Sequence, residues 1–341
     1  MNRGIIIEKQ ANVKDWRFGG VTGISSDVLN PDGDWTEFLP NLETQRSPSF
    51  DTMSCVSFSA LNCVETYMKA MSMSIDARKW LKDNGYISQH EDTLGDYNCC
   101  DRWLAVDSGT TKEGNSMSKV AEAMRKGLVA EQDFPWDKKE IRKWGDYMSV
   151  SPLKRKELEK KASEFNERFK ISWQWVIPEL SHLKKALKYG PVQVIGYAWP
   201  KPVNGIYPMS HNKPNHAFMI YKVDEDMGHY EIYDHYEKDK KKLALDYKFV
   251  AAMQFHVEQI NSNNMPKLSI PDNTLVQQVG PGGSGEFGMI LDDKIMVGDT
   301  ALLLATFHMC NNGDTVGKTL PLTKEVWDTF QKIDTSRNLV S

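Results

Sequence analysis

Three residues, Cys55, His216 and Asp234, have the chemical types and the order along the chain that nucleophilic attack on a carbonyl group requires. A cysteine thiolate acts as the nucleophile, an imidazole takes up and returns its proton, and an acidic or amide residue orients the imidazole. Cys55 stands at the predicted start of a helix, where free N–H groups and partial positive charge lower the pKa of a thiol. A lone cysteine in this setting is as often a core residue, and the downstream histidine favours the nucleophile.

Two other histidines compete with His216 for the role of the base. His211 lies in a loop rich in proline and asparagine, and His235 adjoins Asp234. We prefer His216 because it opens the apolar run Ala217–Ile220, which follows a predicted Gly-Pro-Val strand. The remaining histidines are interpreted as surface or core residues: His90, His182, His229, His256 and His308.

The elements that must position these residues follow from hydrophobic periodicity. Cys55 belongs to a helix predicted from about Met53 to Met71. Further helices are predicted at Asp76–Lys82, from Ser116 to about Lys126 with Gly127 as the stop, over 153–170, and after Pro178. Strands are predicted at 171–177, 191–198, 216–223 and 229–235, with more near 246–256. Residues 1–50 are interpreted as an irregular arm. Residues 73–113, apart from the helix at Asp76–Lys82, are interpreted as a turn-rich excursion.

A linker is predicted at about 261–273, where asparagine, serine and proline cluster. The segment 273–341 beyond it has a different pattern. It contains the glycine-rich run Gly280–Gly285, which lacks the Lys-Ser/Thr of a phosphate-binding loop. A hairpin turning at residues 292–293 and two short helices, near Thr300–Met309 and Lys324–Lys332, complete the prediction.

Length and charge bound the possible classes of protein. The chain has 341 residues, of which 40% are hydrophobic and 26% charged, and its formal net charge is −4. This length suits two domains, or one large domain and a small module. The net charge gives no electrostatic reason to expect nucleic acid or an anionic membrane as a partner. The basic run at 238–242 is interpreted as a solvated turn, since an isolated basic patch is a weak nucleic-acid footprint.

The apolar segments are too short for targeting to or across a membrane. The N-terminal run is too short for a signal peptide, and no stretch approaches the ~20 apolar residues of a membrane span. We therefore expect synthesis in the cytoplasm. The cysteines are Cys55, Cys63, Cys99, Cys100 and Cys310, an odd number, and without a secretion signal they are expected to be thiols. Cys99-Cys100 has no second cluster at zinc-site spacing, so neither a metal nor a cofactor is predicted.

The segment Ser54–Ser59 resembles the Ser-Cys-Trp-Ala-Phe-Ser segment of papain-like cysteine peptidases. Further segments resemble that family in the family's order, and together they span roughly 15–235: Asp15-Trp16-Arg17, Gly127–Val129 with Phe134–Trp136, and Leu187–Val194. The resemblance implies an α+β, two-lobed papain-like domain at 1–262. Its helical lobe would cover about 45–150 and its β-rich lobe about 170–260, with a small accessory module at 273–341.

The resemblance also implies a role for each site residue. Cys55 would be the nucleophile, His216 the base, and Asp234 would stand for the family's asparagine, with Tyr236 in the shielding place of the family's tryptophan. An aspartate keeps the acceptor but adds a charge that favours the imidazolium form of the histidine. The oxyanion would be held by the backbone N–H of Cys55 and a glutamine side chain.

The chain departs from the family pattern at two places near Cys55. The family's glutamine lies six residues before the cysteine, where this chain has Ser49, and Gln45 is the nearby candidate. Gln45 fits if residues 46–49 form an inserted bulge. The residue after Cys55 is Val56 in place of tryptophan.

The segment Gly114-Asn115-Ser116 matches the family's glycine-rich edge of the substrate cleft. There the backbone of a substrate can pair as an added strand. The alternative is a simple turn with Ser116 as the cap of the following helix.

The function that the resemblance implies is a thiol hydrolase cutting a peptide bond in a protein or a peptide crosslink. The N-terminal arm, the excursion at 73–113 or assembly would limit its activity. The alternative is a papain-fold structural or binding component of an assembly such as a phage particle or tail, which the displaced glutamine and missing tryptophan motivate. The C-terminal module could then dock to protein partners. Other Cys-His endopeptidases and transglutaminase-like enzymes are disfavoured, since their cysteine and histidine usually lie closer in sequence.

Overall fold

The computed structural model divides the chain into two compact units, Met1–Ile260 and Asn261–Ser341. In the first unit it describes residues 5–6, 28–87, 95–197, 199–210, 213–236 and 240–260, and in the second the backbone of five strands. Several sequence predictions therefore concern residues outside the described part: Asp15-Trp16-Arg17, His90, His211, Gly280–Gly285, Thr300–Met309, His308 and Cys310.

The described part of the first unit contains seven α-helices, which include every helix predicted there. They are α1 (Cys55–Ala70), α2 (Ile75–Asp83), α3 (Asp101–Asp107), α4 (Met117–Met124), α5 (Trp144–Met148), α6 (Pro152–Asn166) and α7 (Leu180–Leu187). The sequence did not predict α3, because its run Trp103–Val106 is wholly buried and has no polar face to set a helical period. The prediction of a helix as far as residue 170 was wrong, since Phe169 already begins a strand.

Seven strands form one mixed sheet in the first unit. They are β1 (Phe169–Val176), β2 (Val192–Tyr197), β3 (Ile206–Tyr207), β4 (Pro214–Asp224), β5 (His229–Tyr233), β6 (Lys241–Ala244) and β7 (Ala251–Gln259). Their order across the sheet is β1-β7-β2-β4-β5-β6-β3. β4 and β5 are a long antiparallel hairpin, and β6 extends it on the far side. Tyr233, the last residue of β5, lies opposite Met219, so the start of β4 and the residues that follow β5 are at the same end of the hairpin.

Helix α1 forms the centre of the first unit. Every residue from Cys55 to Met68 is buried, as expected for a helix that is packed on all sides. The amide of Gln193 on β2 donates to the Val56 carbonyl at 2.8 Å and to the Ser59 hydroxyl at 2.7 Å. These hydrogen bonds hold the first turn of α1, and with it Cys55, against the sheet.

The second unit contains a separate five-stranded sheet. Its strands are β8 (Leu275–Val279), β9 (Phe287–Leu291), β10 (Lys294–Val297), β11 (Leu320–Thr323) and β12 (Gln331–Asp334), in the order β11-β8-β9-β10-β12. β9 and β10 pair antiparallel on either side of residues 292–293, which confirms the predicted hairpin. The helix predicted at Lys324–Lys332 was wrong at its end, where β12 pairs with β10. None of the helices described in either unit is long and apolar enough to cross a membrane.

Glu131 is expected to make the protein less stable as the pH rises from acid to neutral. Burial, and after it the charge of Glu43, raises the pKa of the Glu131 carboxyl from 4.5 to about 7. The folded state therefore binds a proton that the unfolded state releases. The resulting stabilisation is complete below the ordinary pKa of 4.5 and is lost as the pH rises through about 7. At about 1.4 kcal/mol per pKa unit, the free energy of unfolding should fall by about 3 kcal/mol across this window.

Glu131→Gln should therefore melt several degrees above the wild type near pH 8 and differ little from it near pH 4. In the wild type, Glu131 Oε1 accepts a hydrogen bond of 2.9 Å from the backbone N–H of Trp136, and glutamine keeps an oxygen for this bond. Thermal unfolding followed by circular dichroism measures the difference, and the exposed Glu140→Gln is the control. An equal difference in melting temperature at both pH values would contradict the prediction.

Candidate active site

Cys55 and His216 come together because α1 packs against β4. Cys55 is the first residue of α1, and His216 is the third residue of β4. A hydrogen bond from the backbone of Ala217, the residue after His216, acts on the Cys55 thiol. Both side chains are fully buried. The predicted nucleophile and base are thus neighbours despite their distance along the chain.

Asp234 holds the imidazole of His216 at its Nε2 atom. Its Oδ1 lies 2.8 Å from His216 Nε2, and neither side chain is exposed. The backbone N–H of Tyr236 also donates to Oδ1, at 3.3 Å. Burial raises the pKa of Asp234, but the charge and hydrogen bond of His216, with the charges of His235 and Lys241, hold it well below its ordinary value. Asp234 is therefore an ionised acceptor that orients the ring.

The second ring nitrogen of His216, Nδ1, is not used in a hydrogen bond with any described residue. This atom is buried. With Nε2–H donated to Asp234, Nδ1 carries the lone pair of the neutral ring. A neutral ring in this state has a free acceptor at Nδ1.

The pKa of the Cys55 thiol differs from the prediction made from its place at a helix start. Burial, followed by the charges of Asp51 and Asp234, raises it to about 12. Complete removal from water outweighs the hydrogen bonds from Ala217 and Val56, which favour the thiolate. The resting cysteine is therefore a neutral thiol. A buried thiolate would need a nearby cation, because an isolated buried charge is costly.

Two aromatic side chains flank the His216 ring. The rings of Tyr236 and His216 are 4.9 Å apart, and those of Trp199 and His216 are 5.7 Å apart and nearly perpendicular. The Tyr236 hydroxyl donates to Asp51 Oδ2 at 2.6 Å, so its ring is held in place. These rings shield the bond between His216 and Asp234 from water. The sequence did not predict Trp199, because it lies in an irregular loop between β2 and β3.

The loop before α1 contains the turn that would displace Gln45 from the family position. Arg46 and Asp51 form an isolated antiparallel bridge, and the Ser47 N–H donates to the Phe50 carbonyl at 3.0 Å. Residues 47–50 are therefore looped out, and Gln45 lies beside Asp51. The Gln45 amide Nε2 donates to Asp51 Oδ1 at 2.9 Å.

Gln45 is also bonded to the segment after β5 that contains Asp234. Its backbone N–H donates to the His235 carbonyl at 2.9 Å. Its side chain is fully buried, and its Oε1 has no partner among the described residues. Met53, two residues before Cys55, has a left-handed backbone with φ of 60°. Such strain in a residue other than glycine is concentrated at functional sites.

The edge at Gly114–Ser116 carries a segment of the chain's own N-terminal region. Ile5 forms a parallel bridge with Asn115, and the Ile6 N–H donates to the Asn115 carbonyl at 2.8 Å. The Asn115 side chain is used internally, since its amide donates to the Ser108 hydroxyl at 2.9 Å. Ser116 precedes α4 but its hydroxyl makes no capping hydrogen bond. The backbone at Asn115 thus pairs with another segment of the chain, and its pairing with a substrate stays a prediction.

Lys241 is a further residue of the site that the sequence did not predict. The interpretation of residues 238–242 as a solvated turn was wrong for Lys241, which begins β6 and is 3% exposed. Its Nζ lies 2.9 Å from Asp234 Oδ2. Residues 241 and 243 of β6 point inward and 242 outward. The alternation of a strand, which a run of lysines conceals, is the signal that could have found it.

Two groups among the described residues could offer three ligand atoms to a metal ion. One is His216, Asp234 and His235, where the Lys241 ammonium on Asp234 opposes a cation. The other is Asp224, His229 and Glu231 at the β4–β5 turn. There His229 Nε2 lies 3.4 Å from Glu231 Oε1, an arrangement that a hydrogen bond explains.

Comparisons with known proteins identify the fold. Among solved structures, the chain is similar to xylellain, a cysteine protease from Xylella fastidiosa, with a TM-score of 0.51 and 15% identity over 76% of this chain and 97% of that one. It is also similar to digestive procathepsin L 3 of Tenebrio molitor larval midgut, with a TM-score of 0.43 and 15% identity over 74% and 75%. No protein-family model matches the chain, and no curated protein matches it. The fold is the mixed α+β fold of papain-like cysteine proteases, as predicted.

Proposed function

We propose that this protein is a papain-like cysteine peptidase that cleaves peptide bonds in a peptide or protein substrate through Cys55, His216 and Asp234. The observation that carries the proposal is the state of the His216 ring. One ring nitrogen is held by Asp234 at 2.8 Å, and the other is unpaired among the described residues, next to the strand position that contacts Cys55. A histidine that served packing alone would not need an ionised, fully buried carboxylate.

The reaction follows from these atoms. His216 Nδ1 accepts the thiol proton, and the Cys55 sulfur attacks the carbonyl carbon of the scissile bond to give a tetrahedral oxyanion. The imidazolium then protonates the leaving amine, and the C–N bond breaks to leave a thioester on Cys55. Water, deprotonated by His216, attacks the thioester and releases the carboxylic acid and the free thiol. Asp234 keeps Nδ1 on the reacting side throughout.

Gln45 and the first turn of α1 would stabilise the oxyanion. An amide carries two N–H donors, and Asp51 accepts one of those of Gln45. The second would join the backbone N–H of Cys55 in facing the developing negative charge. Asp51 would thus be the residue that fixes the Gln45 amide.

A substrate would pair with the backbone at Asn115, within Gly114–Ser116, as an added strand. The same edge bonds Ile5 and Ile6, and Cys55 is fully buried. The described conformation is therefore a closed one, in which the N-terminal segment must leave before a peptide can bind. This agrees with an enzyme whose activity is limited by its own arm.

We further propose that residues 1–262 are the peptidase domain and that 273–341 are an accessory module. The separate compact unit and its own five-stranded sheet support this division. Such a module would dock the peptidase to a protein assembly, and a phage particle or tail is the setting we infer for it.

The decisive test is selective labelling of Cys55. We expect an epoxysuccinyl peptide probe to modify Cys55 between about pH 5 and 7, and His216→Ala to lower the rate by about 10²-fold or more. Cys63, Cys99 and Cys100 are internal controls, because burial raises the pKa of each as it does that of Cys55, so selective labelling of Cys55 would require a partner such as His216. Mass spectrometry of the digested protein locates the modification.

The opposite result would favour a structural component. If all cysteines react slowly, alike in wild type and His216→Ala, and only as the pH approaches the ordinary thiol pKa of about 8.5, the peptidase proposal fails. Casein hydrolysis that is lost in Cys55→Ser would extend the labelling result to turnover.

A further inference from the structure

Lys241 occupies the one oxygen of Asp234 that His216 leaves free. Asp234 Oδ1 faces His216 Nε2 at 2.8 Å, and Oδ2 faces Lys241 Nζ at 2.9 Å. The three side chains are buried, with exposed fractions of 0%, 0% and 2%. Lys241 reaches Asp234 because β6 pairs with β5, where it lies opposite Ile232, two residues before Asp234. The fold therefore builds a chain of His216, Asp234 and Lys241.

The charges of His216, Asp234 and Lys241 have a consequence for catalysis. A buried carboxylate without a second partner stabilises the neighbouring imidazolium strongly, because little water screens the interaction. An imidazolium that is stabilised in this way is a poor proton donor. This would slow catalysis, because His216 must give its proton to the leaving amine in every cycle. An ammonium on the far oxygen cancels the carboxylate charge. Asp234 with Lys241 then behaves as a neutral hydrogen-bond acceptor would.

We propose that Lys241 is a positioning residue of the catalytic site, which fixes the Asp234 carboxylate and neutralises it so that His216 can both take up and release a proton. This inference rests on the proposed peptidase function. It explains how an aspartate can serve where a neutral asparagine is expected from the resemblance.

The other groups around His216 do not supply this compensating charge. His235 adjoins Asp234, but burial, and after it the charge of His216, lowers its pKa to about 3, so it is neutral above that pH. From α1 and the loop before it, Cys55 and Asp51 bring a thiol and a carboxylate. Tyr236 donates its hydroxyl to Asp51. Lys241 is thus the permanent cation bonded to Asp234 among the residues that the structure describes.

The residue next to Lys241 on β6 provides a matched control. Lys242, the next residue of β6, is exposed, so Lys242→Met removes the same charge from the same strand without touching Asp234. Lys241→Met removes the ammonium and keeps the chain length. Lys241→Gln keeps an N–H donor without charge, should the methionine variant fold poorly. The double variant Asp234→Asn with Lys241→Met restores a neutral pair.

Two readouts test the proposal. The first is the pH at which the His216 ring titrates, followed by nitrogen-15 NMR of histidine-labelled protein. We expect Lys241→Met to move it up by about one unit, with no change in Lys242→Met and a return toward wild type in the double variant. The second is kcat for peptide hydrolysis, which should fall roughly tenfold in Lys241→Met and recover in the double variant.

The NMR readout does not require turnover, so it separates this inference from the proposed function. Absence of Cys55 labelling in the wild type would refute the peptidase, and a shifted His216 titration would still support charge compensation by Lys241. A different result would contradict the inference. If Lys241→Met and Lys241→Gln lower the melting temperature but His216 titrates at the same pH as in the control Lys242→Met, Lys241 is structural and the inference is wrong.

Discussion

Replacing Gln45 with alanine is expected to lower kcat for peptide hydrolysis by about 10²–10³-fold with little change in KM, the usual cost of removing one oxyanion donor. The Gln45 amide is fully buried, yet among the described residues its Nε2 donates one hydrogen bond, to Asp51, so its second N–H has no acceptor there. Buried polar groups are nearly always satisfied, and an exception needs an explanation. A donor kept for a charge that exists only in the transition state is such an explanation.

Gln193 is the matched control for Gln45. It is also fully buried and also borders the first turn of α1, but its amide donates to Val56 O and Ser59 Oγ within the resting protein. Gln193→Ala should therefore lower the melting temperature and leave kcat of the folded protein nearly unchanged. Steady-state kinetics on both variants separate the two roles. A kcat for Gln45→Ala within threefold of wild type would place the oxyanion donor elsewhere.

The sequence predicted the parts of the site that lie on regular elements. Cys55 belongs to a helix with a long apolar pattern, and His216 opens an apolar strand, so periodicity alone placed both elements. Asp234 was predicted from the family resemblance, since it stands where the family has its asparagine. Because hairpin strands are adjacent by construction, the contact between His216 and Asp234 needed no long-range information.

The residues that the sequence did not predict depend on tertiary contacts. Trp199 lies in an irregular loop, where neither period nor turn chemistry indicates which ring will face His216. Lys241 looked like one of several solvated lysines, and its bond to the buried carboxylate of Asp234 is a tertiary contact that the sequence does not show. The pKa of Cys55 was misjudged because the sequence shows the helix start but not the complete burial that outweighs it.

Replacing Gly127 with alanine is expected to destabilise the protein by roughly 3–6 kcal/mol, from left-handed strain and overpacking together. Gly127 has a φ of +115°, and a Cβ there would lie 1.8 Å from the carbonyl oxygen of Ala162. That oxygen belongs to the backbone of α6, so no side chain can move aside. The backbone N–H of Gly127 closes the end of α4 by donating to the Met124 carbonyl at 3.0 Å. The sequence prediction of Gly127 as a helix stop therefore has a second cause, the close approach of another helix.

Gly109→Ala isolates the part of this cost that comes from backbone conformation. Gly109 has a φ of +74°, but a Cβ there would meet nothing within 4 Å, so about 1 kcal/mol of strain is expected. Thermal and urea unfolding should therefore place Gly127→Ala well below Gly109→Ala in stability. Equal losses in the two variants would mean that α6 can shift away from Gly127. Because α4 begins two residues after Asn115, a surviving Gly127→Ala protein should also bind a peptide substrate more weakly at that edge, which a raised KM would reveal.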